Sequence, residues 1–188
     1  MHDYPTLQDI REARERLKPH IRHTPLLRAE KIEPAVGCQL YLKPETLQIT
    51  GAFKIRGALN KALSLPREQI ANGLIATSSG NHAQGIAYAA RMLGVKAIIV
   101  VPVTTPRIKI ENTQALGAEV ILFDGDTAAR WKRVCEIAEE NQYTAVHGFE
   151  DPLVMAGQGT IGCEILEDLE AWDTVIVPML KAHFGNVD

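Results

Sequence analysis

Short apolar segments alternate with segments of helical length from residue 73 onward, and this alternation constrains the fold more than any other feature. The predicted strands are Leu74 to Thr77, Lys96 to Val101, Glu119 to Phe123, Thr144 to Val146 and Thr174 to Val177. The predicted helices are Asn81 to Leu93, Pro106 to Leu116, Thr127 to Asn141 and Pro152 to Leu169. Short strands rich in Ile and Val are typical of a sheet that helices cover on both faces. The sequence therefore predicts an α/β fold with a right-handed parallel sheet flanked by helices.

The residues before this region are less regular. Thr6 is a candidate helix cap with Asp9 three residues later, and the apolar spacing that follows predicts an amphipathic helix ending before Pro19. A short strand is predicted over Gln39 to Lys43, and a second helix over about Phe53 to Leu63.

Composition and charge exclude several classes of protein. The 188 residues are 46% apolar and 23% charged, which is ordinary for a folded domain, and the net charge of -3 gives no electrostatic case for nucleic acid. The longest aliphatic run, Ala97 to Val101, is far short of the ~20 residues of a membrane helix, and Met1 to Ile10 does not resemble a signal peptide. We expect a small-molecule or protein partner, no nucleic acid and no membrane.

Cysteine usage indicates the compartment. Cys38, Cys135 and Cys163 are odd in number, widely spaced and outside any CxxC pattern, which suits a reducing cytoplasm better than secretion or a zinc site. We expect buried or half-buried cysteines, no metal site and a cytoplasmic protein.

Lys54 is the first candidate for chemistry. A lysine in the first turn of a helix feels the positive end of the helix dipole, and burial would disfavour its charged form further. Its amine would then be a nucleophile near neutral pH. The alternative is a solvated helix lysine, because most lysines are exposed.

The turn from Thr77 to His82 is the second candidate. It runs from the end of a strand into a helix, where free backbone N–H groups bind anions, and Gly80 allows close approach to the main chain. The alternative is a polar turn with a serine cap, in which His82 has a turn or packing role.

The third candidate is the segment from Gly157 to Gly162 inside a predicted helix. Each interior glycine costs ~1 kcal/mol relative to alanine, so three of them require a reason. Close approach to a cofactor is one reason, but tight helix packing without a ligand is the interpretation we favour.

Together these segments resemble the serine/threonine dehydratase and serine racemase family of pyridoxal-phosphate enzymes, which has the tryptophan-synthase-β fold type, also called fold type II. The resemblance covers residues from about 7 to 178. It depends on Lys43-Pro44-Glu45, Gln48, Thr50-Gly51-Ala52-Phe53-Lys54-Ile55-Arg56-Gly57-Ala58, Ser78-Ser79-Gly80-Asn81-His82-Ala83-Gln84-Gly85, Gly117-Ala118 and Gly157-Gln158-Gly159-Thr160. Several separate motifs in the right order make it specific.

The resemblance implies roles for individual residues. Lys54 would hold pyridoxal 5'-phosphate as a Schiff base, Phe53 would pack beside its ring, and Asn81 would hydrogen-bond its phenolic oxygen. Backbone donors of Ser79, Gly80, Asn81 and His82 would bind the substrate carboxylate, and Ser79 would be a candidate proton carrier. The freed Lys54 amine would remove the substrate's α-proton.

The resemblance also implies a domain organisation. Residues 1–72 would begin a large cofactor domain, residues 73–150 would form a small α/β domain, and residues 151–188 would return to the large one. Family members follow the last strand with a glycine-rich phosphate loop, whereas this chain has Met179 to His183. We therefore expect a large domain that is incomplete at its C-terminus, weakened cofactor retention, and association into a homo-oligomer through uncovered apolar surface.

The predicted function is dehydration and deamination of threonine or serine to a 2-oxo acid and ammonia, with this chain an inactive or partial form. The resemblance implies a role in amino-acid metabolism, including isoleucine biosynthesis. Two alternatives stay open: an amino-acid racemase acting on serine, and a non-catalytic module that binds a small molecule or a partner.

Overall fold

A computed structural model describes residues 4–177. Its helices are α1 (Leu7–Leu17), α2 (Glu33–Val36), α3 (Lys54–Ser64), α4 (Arg67–Ile70), α5 (Asn81–Leu93), α6 (Arg107–Ala115), α7 (Thr127–Asn141) and α8 (Pro152–Asp168), with a 3-10 turn at Glu45–Leu47. Its strands are β1 (Leu27–Arg28), β2 (Tyr41–Leu42), β3 (Leu74–Thr77), β4 (Ala97–Pro102), β5 (Glu119–Phe123) and β6 (Thr144–Ala145).

The main sheet is parallel and has the strand order β5-β4-β3-β6. Alternate residues of its central strands point to opposite faces, as the two-residue period of a strand requires. Leu74 and Ile99 belong to a core that includes residues of α3 and α5, whereas Ile75 and Val100 belong to a second core with residues of α7. Helices therefore cover both faces, and the predicted parallel α/β sheet is confirmed.

The strand order reverses between β3 and β6. The chain places β4 and then β5 on one side of β3, and it returns to lay β6 against the other side. Open parallel sheets bind ligands beyond the carboxyl ends of the strands at such a reversal. The segments that leave β3 and β6 are therefore the first place to look for a site.

Glycines allow α8 to pack tightly against two other helices. A Cβ built on Gly157 would lie 2.5 Å from the backbone oxygen of Arg56 in α3, and one on Gly159 would lie 2.9 Å from Ile10 in α1. A Cβ built on Gly162 would meet no atom within 4 Å. Tight helix packing, the favoured interpretation of this glycine-rich segment, is confirmed for Gly157 and Gly159.

The N-terminal predictions hold in part. Thr6 and Asp9 form the reciprocal capping box that their spacing predicts. The strand predicted over residues 39–43 is reduced to β2, which pairs in antiparallel orientation with the unpredicted β1. Cys135 and Cys163 are half-buried as expected, but Cys38 is exposed, so that prediction was wrong for Cys38.

The strand predicted over residues 174–177 is wrong. These residues are irregular and exposed, and Ile176 is 87% exposed. A strand needs a hydrogen-bonded neighbour, and within residues 4–177 no strand lies beside this segment. The segment from Met179 to His183 lies outside the described residues. Among the helices of residues 4–177, none has the length and apolar character needed to cross a membrane.

Candidate functional site

Lys54 is the first residue of α3, and its side chain is directed toward the segment that follows β6. Its Nζ donates a hydrogen bond of 3.0 Å to the backbone carbonyl of Gly148 and lies 5.2 Å from the centroid of the Phe53 ring. Burial lowers the pKa of the Lys54 amine, because desolvation disfavours its charged form. Lys54 is thus not a fully solvated helix lysine.

The turn after β3 leads into α5 without a side-chain cap. Gly80 occupies the N-cap position, and the Ser78 hydroxyl accepts a hydrogen bond of 3.1 Å from the Gly80 N–H. A Cβ on Gly80 would meet nothing within 4 Å, so the backbone is open to a ligand there. Ser79 is half-buried, and the Asn81 side chain is exposed. The first turn of α5 therefore leaves backbone N–H groups that a carboxylate can bind, which disfavours the serine-capped alternative.

A close approach of two helices brings these segments together. A Cβ on Gly85, one turn into α5, would lie 3.2 Å from the backbone oxygen of Lys54 and 3.2 Å from the Cβ of Ala58. Glycine allows α5 to contact the first turn of α3 this closely, because any other residue would push the two helices apart by a few tenths of an ångström. The first turn of α3, which carries Lys54, is thereby placed against the first turns of α5.

His82 completes the contact between α5 and the segment after β6. It is 5% exposed, and its Nε2 lies 3.3 Å from the carbonyl oxygen of Val146. Burial lowers the pKa of His82 to about 4, and the charge of Lys54 acts in the same direction, so the ring is neutral at neutral pH. The structure supports the packing alternative for His82 and shows what it packs against.

A buried network of charged side chains joins α3 to α8 and to the segment around β2. Arg56, which has no exposed surface, forms ion pairs with Glu45 at 2.7 Å and with Glu164 at 2.7 Å. Lys43 pairs with Glu164 at 2.9 Å and with Asp168 at 3.1 Å. Burial alone would lower the pKa of Arg56, but its hydrogen bonds to the two glutamates outweigh burial and raise it. Arg56 and Glu164 therefore both stay charged, and their ion pair ties α3 to α8.

The chemistry of the site fits pyridoxal phosphate. The aldehyde of that cofactor needs an uncharged amine, and the lowered pKa of Lys54 supplies one more readily than a solvated lysine. His82 Nδ1 is buried and has no hydrogen-bond partner among the described residues, so the site has unused capacity to bind a polar group. The predicted roles of Phe53, Ser79, Gly80 and Asn81 remain predictions.

Sequence reasoning missed Gly148, which comes into the site from a different strand. Its location after a short parallel strand next to the reversal of strand order is the signal that could have found it. The charged network was missed as well, although Lys43, Glu45 and Arg56 stand within the motifs that carry the resemblance.

A crevice of about 730 Å³ lies beside α8 and the segment that follows β6. It is lined by Tyr4, Pro5, Asp9, Lys61, Trp131, Ala145, His147, Glu150, Asp151, Pro152, Leu153 and Ala156. None of the residues predicted for the site lines this crevice, so its size does not identify it as the place of the chemistry.

Comparisons with known proteins agree with the geometry. The family described as pyridoxal-phosphate dependent enzyme matches residues 17–183. A catabolic L-threonine dehydratase of Staphylococcus aureus, TdcB, is 46% identical over 175 residues, which are 93% of this chain and 51% of the relative. This chain therefore spans about half the length of that curated relative.

Two solved structures are also similar. The threonine deaminase of T.th. is 47% identical with a TM-score of 0.81, over 87% of this chain and 52% of that one. The serine racemase of maize is 36% identical with a TM-score of 0.85, over 90% of this chain and 51% of that one.

Proposed function

The chain belongs to the family of pyridoxal-phosphate dependent enzymes, and from this premise we propose that it acts in the dehydration and deamination of threonine or serine. The observation that carries the proposal is the half-buried Lys54 amine, which has a lowered pKa and lies beside the uncapped start of α5. The names of the S. aureus and T.th. proteins support the choice of substrate.

The residues of this chain would share the work as follows. The free N–H groups at the start of α5, from Ser79 to His82, would bind the substrate carboxylate and orient the α-carbon. The uncharged Lys54 amine would take the proton from that carbon, and Ser79 would carry a proton to or from the opposite face. Pyridoxal phosphate, when bound, supplies an electron sink for the negative charge that develops there. Loss of the β-hydroxyl as water, followed by hydrolysis, gives the 2-oxo acid and ammonia.

Several finer predictions accompany this function. We propose that residues 73–150 form the small domain between the two parts of the large one, residues 1–72 and 151–188. We also propose a small amino-acid substrate, a homo-oligomer and a cytoplasmic location. The word catabolic in the S. aureus name favours threonine breakdown over isoleucine biosynthesis.

Covalent trapping tests the proposal directly. The chain is incubated with pyridoxal phosphate, reduced with borohydride and mapped by peptide mass spectrometry. We expect the label on Lys54, its loss in Lys54→Ala, and its retention in Lys109→Ala, which removes an exposed lysine of α6. A label spread over surface lysines, or no label on Lys54, contradicts the proposal.

Product analysis separates the alternatives. Ammonia and 2-oxo acid formed from L-threonine support dehydration, whereas D-serine formed from L-serine without ammonia supports a racemase. Serine binding without any label on Lys54 supports a non-catalytic binding module.

A further inference from the structure

The segment that provides the Gly148 carbonyl is anchored at both ends. At its start the Val146 N–H donates to the carbonyl of Ile75 at 2.9 Å, which ties the segment to β3. At its end Asp151 caps α8 by accepting hydrogen bonds from the first turn of that helix. The position of Gly148 between these anchors depends on what the intervening residues contact.

His82 contacts Gly148 itself. The carbonyl of Val146 can only accept a hydrogen bond, so Nε2 of His82 carries the proton and donates at 3.3 Å. A Cβ on Gly148 would lie 3.2 Å from Cδ2 of the His82 ring, so the ring lies directly against Gly148. The carbonyl of Gly148 accepts the bond from Lys54.

We propose that His82 is a positioning residue for Lys54: it fixes the segment from Val146 to Gly148, and the Gly148 carbonyl then holds the amine whenever it is not attached to the cofactor. This inference rests on the proposed function, which requires an uncharged, oriented amine. One N–H of that amine donates to Gly148 and its lone pair stays free to take a proton. A carbonyl acceptor by itself favours the charged form of an amine, but this carbonyl holds the amine in a buried position, and burial is what lowers the pKa of Lys54. Without the carbonyl, the flexible lysine chain turns toward water, where the charged form is favoured.

The pH profile of Lys54 in the cofactor-free chain tests the inference. The rate at which an acid anhydride acylates each lysine is measured against pH and assigned by peptide mapping. His82→Phe keeps a ring but removes the donor, and we expect the midpoint for Lys54 to rise toward that of an ordinary lysine. His82→Gln retains a side-chain donor and should restore most of the original midpoint. His20→Phe, a half-buried histidine of the segment after α1, is the control and should leave it unchanged.

The charged groups that act on His82 are Lys54, His147 and Asp151, and the control leaves all three in place. An unchanged Lys54 midpoint in a folded His82→Phe chain overturns the inference. If that variant does not fold, Gly148→Ala replaces it. Gly148 has no positive φ, so alanine is allowed there, and its methyl group must move the segment or the His82 ring by a few tenths of an ångström.

Gly148→Ala should raise the Lys54 midpoint in the same direction, and no change overturns the inference in that case too. Because no cofactor is present, the result is independent of the trapping experiment. Failure to trap pyridoxal phosphate on Lys54 would contradict the proposed function. The pH profile would still show whether His82 positions the Lys54 amine.

Discussion

Replacing Gly157 with alanine isolates the energetic effect of the contact between α8 and α3. The added Cβ would lie 2.5 Å from the backbone oxygen of Arg56, 2.7 Å from the Cβ of Asn60 and 2.8 Å from the Cα of Gly57. Two of these three atoms belong to backbone inside a helix and cannot turn away. Alanine gains about 1 kcal/mol over glycine in helix propensity, whereas forcing extra volume into a packed site costs about 1 to 3 kcal/mol or more.

Because the added Cβ would meet helix backbone, we expect a cost near the upper end, about 3 kcal/mol. After the gain in helix propensity is subtracted, Gly157→Ala should lower the free energy of unfolding by about 2 kcal/mol, which is a fall of about 4 to 8 °C in the thermal midpoint for a chain of this size. The matched control is Gly162→Ala in the same helix, where the Cβ meets nothing within 4 Å. It should gain about 0.5 to 1 kcal/mol. Circular dichroism during heating measures both midpoints. If Gly157→Ala is as stable as Gly162→Ala, the contact with α3 is not what requires glycine, and the packing argument fails.

Two further predictions concern buried charge. Glu164→Gln removes one carboxylate from Arg56 and Lys43, and because it leaves cations without full compensation, it should destabilise the chain by about 3 to 5 kcal/mol in urea unfolding. Arg107→Gln breaks an exposed pair and should cost no more than about 0.5 kcal/mol, so equal losses in the two variants would refute the distinction. The pKa of His82 lies at about 4 in the folded chain and at 6.5 in an unfolded one, so only the unfolded chain takes up a proton between these values. Stability should fall as the pH is lowered through this window, by up to about 3 kcal/mol, and His82→Gln should flatten that part of the profile.

Local patterns predicted the regular part of the fold well. The bounds of α5 and α7 match the prediction because their ends carry local signals, such as the left-handed conformation of Gly94 after α5. Strand β1 was missed, and β2 was predicted too long, because a strand of two residues is too short to show an alternating pattern. The segment over residues 174–177 has the composition of a strand, but composition does not supply a neighbouring strand.

The site was predictable only where its residues lie close together in sequence. Lys54 and the turn from Ser79 to His82 each stand in a recognisable local setting. The bond from Lys54 to Gly148 joins residues 94 positions apart, and the pair of Arg56 and Glu164 joins residues 108 apart. Such contacts follow from how α3, α5 and α8 pack, which no local pattern encodes.

The shortness of β6 has a consequence for the timing of motions. Only Thr144 and Ala145 pair with β3, so this strand is attached by far fewer backbone bonds than β4, which pairs with β3 on one side and with β5 on the other. Elements with few protected bonds open at low free energy while the rest of a domain stays folded. Amide protons around β6 should therefore exchange with solvent sooner than those of β4, and excursions of the residues that hold the Lys54 amine would be frequent events that do not require global unfolding.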